Sequence, residues 1–84
     1  MIFGMRNGDG RLFERARRIY ARMKPRWLPK HKGWVVAINP DTKEYVLGRD
    51  ELQVADTIIR DYPGKLFGFF RIGYRAMHTF YRLR

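Results

Sequence analysis

The side chains that most enzymes use as nucleophiles are missing from this sequence. Its 84 residues contain no serine and no cysteine. Hydroxyl attack would therefore fall to Thr42, Thr57 or Thr79, and none of these has a base close by in sequence. Of the two histidines, His31 stands between Lys30 and Lys32 and His78 lies in a basic tail. No carboxylate is near enough in sequence to complete a metal site with either. The carboxylates all have structural readings. Asp50 and Glu51 open a helix, where negative charge complements the dipole. Asp56 and Asp61 lie on that helix's solvated side, Asp41 is a turn residue and Glu44 flanks a hairpin. Gly8 and Gly10 are too few to make a phosphate-cradling loop. The expectation is a non-catalytic protein with no cofactor, no metal and no small-molecule substrate.

The chemistry that is left is cationic. Eighteen Lys and Arg face eight Asp and Glu, for a net charge of +10. The excess is segregated: residues 1–32 carry +8, residues 33–65 carry −2 and residues 66–84 carry +4. A segregated excess marks a surface for an anionic partner more often than a uniform one does. Two candidate binding groups stand out. Arg11, Arg15, Arg18 and Arg22 recur every three or four residues, which is one face of a helix. Arg71, Arg75, Arg82 and Arg84 interleave with Tyr74, Phe80 and Tyr81, the mixture that tracks a phosphate backbone and stacks bases. A solvated helix face and a set of core aromatics would give the same strings.

The elements that must position these residues follow from periodicity. Asp9 reads as a helix cap, and Leu12, Phe13, Ala16, Ile19, Tyr20 and Met23 form an apolar stripe opposite the arginines. Glu14 is spaced to pair with Arg18, and Pro25 is expected to end the helix. Trp27, in the connector that follows, is expected to pack back and pin the helix. Trp34-Val35-Val36-Ala37-Ile38 is a short buried strand, and Asn39-Pro40-Asp41-Thr42-Lys43 turns it into a second strand over 44–47. Asp50 caps a second helix, with Gln53 completing a capping box. Leu52, Ala55, Ile58, Ile59 and Tyr62 mark its apolar face, and Pro63-Gly64 ends it. Leu66 to Ile72 is a third strand, in which Gly68 marks a bend or a close helix approach.

The sum is an α+β domain of order αββαβ: an N-terminal amphipathic helix, a β-hairpin, a helix and a third strand, with a small antiparallel sheet covered by helices. One domain fills the chain. Residues 1–10 form a flexible N-terminus, 33–72 a ββαβ core, and 73–84 a basic aromatic tail that is a short fourth strand or an arm. The apolar start breaks at Arg6, without the long run of a signal peptide or a membrane span, so a cytoplasmic location is expected.

Phe13-Glu14-Arg15, Ile19-Tyr20, His31-Lys32-Gly33-Trp34-Val35-Val36-Ala37-Ile38, Pro40-Asp41-Thr42, Glu44-Tyr45 and Arg71-Ile72-Gly73-Tyr74-Arg75-Ala76 occur in that order. Together they resemble a family of short bacterial proteins of unknown function, often cyanobacterial, with IYE, HxGKxVAIDxxTGxYEIG and RxGYxAxYR segments. Lys43 stands where that family has a turn glycine, and Trp34 where it tends to have lysine. The resemblance implies a co-encoded partner, sometimes a retropepsin-like aspartic protease, and hence an antitoxin-like or accessory role. The residues themselves point to a binding module for nucleic acid or an acidic protein surface. Contact with a membrane surface is disfavoured by the modest apolar face of the first helix. A subunit of a larger assembly is a third reading, and the oligomeric state is left open.

Overall fold

The computed structural model describes residues 2–3, 9–74 and 78–83. The elements are β1 (Ile2–Phe3), α1 (Asp9–Trp27), β2 (Val35–Ile38), β3 (Tyr45–Gly48), α2 (Glu51–Asp61), β4 (Leu66–Arg71) and β5 (His78–Leu83). The αββαβ order is present, with the sheet built around the antiparallel unit β3-β2-β4. β5 adds to the free side of β4 as the fourth strand, and β1 pairs with β5, giving the order β1-β5-β4-β2-β3. Within the first ten residues, Ile2–Phe3 pair as an edge strand and Asp9 and Gly10 open α1.

One helix covers each face of the sheet. β2 is buried along its whole length, and its alternation serves both faces at once. Val35 and Ala37 point toward α2, where they pack with Val46, Val54, Ile58, Phe67 and Phe69. Val36 and Ile38 point toward α1, with Ala16, Tyr20, Trp27, Phe70 and Ile72. Burial on both sides is why β2 and β4 read as unbroken apolar runs rather than as alternation. Gly68 is the close-approach point: a Cβ there would lie 3.1 Å from the Ala16 Cβ and 3.2 Å from the Phe70 ring. The small residue lets α1 settle on the strand.

Three local expectations are corrected. Pro25 does not stop α1, which runs on to Trp27. Proline's fixed φ is compatible with helix, and its cost there is the missing amide donor together with the crowding of its ring against the Ala21 carbonyl. The buried Trp27 ring, 6.3 Å from Tyr20 and 5.4 Å from Tyr45, anchors the final turn, so the expected pinning role holds from inside the helix. On α2 the buried residues are Val54 and Ile58, whereas Leu52 is 71% exposed and Ile59 41%. The stripe is rotated from the one the spacing suggested. Finally, the Asp50 carboxylate accepts from the Gln53 amide at 2.8 Å, as a cap should. The Gln53 side chain, however, accepts from the amide of Arg49 at 2.7 Å, one residue before the cap.

The hairpin turn is held by Asn39, whose buried side chain accepts from the amides of Asp41 and Thr42 at 2.8 and 3.2 Å. Lys43 keeps the left-handed conformation that a glycine would favour, at φ 67°. That conformation costs lysine roughly 1 kcal/mol.

Candidate anion-binding surfaces

The first surface is the outer side of α1. Because the helix continues past Pro25, Arg26 extends the stripe of Arg11, Arg15, Arg18 and Arg22 by one turn. Five arginines thus follow one helix face over about 22 Å at 1.5 Å per residue. All five are exposed, on the side opposite Ala16, Tyr20 and Trp27. Glu14 pairs with Arg17 at 3.4 Å rather than with Arg18. Arg15 reaches Asp41 in the hairpin turn at 3.2 Å. Exposed pairs of this kind contribute about 0.2–1 kcal/mol. Arg11, Arg18, Arg22 and Arg26 form no ion pair among the described residues. A broad concavity of about 720 Å³ is lined by Gly10, Arg11, Glu14, Arg15 and Arg18.

The second surface lies at the end of the sheet where β2 begins and β4 finishes. The Tyr20 hydroxyl donates to the Arg71 carbonyl at 3.4 Å and accepts from the Gly73 amide at 3.3 Å. Burial raises the Tyr20 pKa above its ordinary value, and the bond from Gly73 opposes that shift. The Gly33 amide donates to the Ile72 carbonyl at 2.8 Å, and the Ile72 amide to the Trp34 carbonyl at 2.8 Å. These bonds stitch the connector to the end of β4. Gly73 has φ +82°, and a Cβ on it would sit 3.0 Å from Lys32 Cγ. Glycine therefore supplies both the left-handed turn and the space for the lysine stem.

Side chains from three segments meet there. Tyr74 is 47% exposed, with Arg71 Cζ 4.9 Å and Lys32 Nζ 5.5 Å from its ring centre. Arg49 lies 5.7 Å from the Trp34 ring, against which His31 packs edge-on at 4.6 Å. The His31 Nδ1 is buried with no hydrogen-bond partner among the described residues. Arg49 and Arg71 also line a cleft of about 190 Å³ with Gly33, Val35, Asp50 and Glu51. Neither arginine forms an ion pair among the described residues; their charges rest against ring faces.

The residues singled out in the sequence therefore separate. Arg11, Arg15, Arg18 and Arg22 share the α1 face, while Arg71 and Tyr74 stand together at the end of the sheet. Arg75 and Arg84 lie outside the described residues. Arg82 occupies a register position in β5 opposite Leu66 and Phe3. Lys32, Trp34 and Arg49 escaped sequence reasoning because only strand register brings them in. Val35 pairs with both Gly48 and Arg71, so the segments around 34, 49 and 71 end in one row.

No family model, curated protein or solved structure matches the chain. No helix among the described residues is long and apolar enough to cross a membrane.

Proposed function

We propose that this protein is a non-catalytic binding module that engages an anionic partner through the outer face of α1. The observation that carries the reading is the set Arg11, Arg18, Arg22 and Arg26, exposed on one stripe and free of ion pairs among the described residues. Cations held on a rigid helix and left uncompensated attract a polyanion and release its counterions on contact. The carboxylates support the non-catalytic part, being largely spent on structure. Asp50 caps α2, Asp41 holds Arg15, Glu14 holds Arg17, Asp61 holds Arg60, and Glu44 accepts from Thr42 at 2.9 Å. Nucleic acid and an acidic protein surface both present the required charge.

Fluorescence anisotropy with a labelled duplex, a single strand and polyglutamate tests the reading. Four arginines on a duplex predict an affinity loss of about 100-fold between 50 and 200 mM salt. The R11E/R18E/R22E variant, altered only at exposed positions, should lose that binding while keeping its melting temperature within a few degrees. Failure to bind any of the three polyanions at 50 mM salt would remove the proposal.

A further inference from the structure

We infer that the cluster of Lys32, Trp34, Arg49, Arg71 and Tyr74 at the end of the sheet is a contact site for single-stranded nucleic acid. The inference rests on the anionic-partner reading but concerns a different surface. A base stacks on the ledge made by Tyr74 and Arg71, while Arg71, Arg49 and Lys32 hold the flanking phosphates.

Three observations select this occupant. The first is that the cations are braced by rings and not by carboxylates. Arg71 and Lys32 lie 4.9 and 5.5 Å from the Tyr74 ring centre, and Arg49 5.7 Å from that of Trp34. Their charge is thus available to a phosphate. Guanidinium planes backed by aromatic rings are also surfaces on which bases stack.

The second is that the Tyr74 ring is half-exposed yet fixed. Its amide donates to the Arg71 carbonyl at 3.1 Å, Gly73 sets the turn before it, and the ring packs over Gly33. A preorganised exposed ring spares the ordering cost of stacking. An acidic peptide has no use for such a ring, and a duplex keeps its base faces stacked inside.

The third is the character of the cleft. Arg49 and Arg71 share its lining with Asp50 and Glu51. The carboxylates keep phosphate at the rim and suit the cleft to hydrogen-bond donors, such as an exocyclic amino group or a ribose hydroxyl.

The test uses the full chain with labelled dT and rU 12-mers, a 12-base-pair duplex and polyglutamate at 50 mM salt. The inference predicts that Y74L weakens single-strand binding about tenfold, the loss of one stacked base. Duplex and polyglutamate binding should not change, and Y74F should stay within twofold of the parent on all probes. R49Q/R71Q, at exposed positions, should flatten the single-strand salt dependence by about 1.4 in log–log slope, the share of two phosphates. It keeps the test decisive if Y74L fails to fold. Preference for rU over dT would favour RNA and a ribose contact; equal binding would favour stacking alone. Either result supports the site. If Y74L and R49Q/R71Q leave single-strand binding unchanged while all probes still bind, the inference is overturned and the α1 reading stands. If no probe binds, both fall.

Discussion

The two faces of the sheet are closed by helices of opposite character. α1 carries seven basic and two acidic side chains, a net charge of +5, whereas α2 carries one and three, a net of −2. Their buried sides differ as well. Under α1 the rings stack: Phe70 lies 4.6 Å from Tyr20 and 5.6 Å from Phe13, both nearly parallel. Under α2 the helix contributes the aliphatic Val54 and Ile58, with Ala55 and Tyr62 at the margin. A helix crowded with arginines repels itself and has little internal pairing to offset this. Its hold on the sheet must come from burial, and the flat rings and the glycine beneath Ala16 supply it. α2, capped at Asp50 and closer to charge balance, can rest on a simpler contact.

The largest expected effect would break that comparison at its base. Phe70→Ala removes a fully buried ring and two stacked contacts, and should cost about 4 kcal/mol in denaturant unfolding. Ile58→Ala, fully buried on the other face, should cost about 3 kcal/mol. A larger loss for Ile58→Ala would mean that the α2 face carries the fold and that the ring stack under α1 is incidental.

A smaller effect separates the faces by pH. Tyr20 sits in the α1 core, and burial raises its pKa above the ordinary 10.0. The folded state then holds the proton more tightly than the unfolded chain does. Its contribution is complete below pH 10 and declines as pH rises from there through the folded-state pKa. Absorbance at 295 nm should show a tyrosine that ionises later than a free tyrosine does. Tyr20→Phe should remove that lag and make the alkaline fall in melting temperature shallower. An unchanged slope in Tyr20→Phe would show that the alkaline loss originates elsewhere.

Much of this architecture was legible in the chain. Stripes of period three to four on 12–23 and the apolar run at 34–38 carry their own burial, so α1 and the hairpin follow from local pattern. Pro25 misled because its lost amide bond and ring crowding act locally, whereas the buried Trp27 two residues later holds the last turn against the sheet through a tertiary contact. The α2 stripe misled because Leu52 and Val54 are equally apolar. The choice between them is made by the angle at which the helix meets Val35 and Phe67, a tertiary quantity. The α1 half of the candidate surfaces is local and was visible. The Tyr74 cluster draws on segments near 32, 49 and 71, which only the strand register aligns.

The finest test of the charge contrast lies at Asp41. Its carboxylate meets Arg15 at 3.2 Å, with both side chains more than half exposed. Water screens such a pair, so Asp41→Asn should change stability by less than about 0.5 kcal/mol. The Asp41 amide, which bonds to Asn39, is untouched by the substitution, so the turn keeps its anchor. What changes is the electrostatics of the outer face: Arg15 joins Arg11, Arg18, Arg22 and Arg26 as an uncompensated cation on one stripe. If that stripe is the contact surface, one further phosphate is engaged and the log–log salt slope for a duplex steepens by about 0.9. The same substitution should leave the Tyr74-dependent part of single-strand binding alone, because Asp41 sits in the turn at the other end of β2. A steeper slope with unchanged stability assigns the duplex contact to α1. An unchanged slope, with binding intact, moves it off that helix.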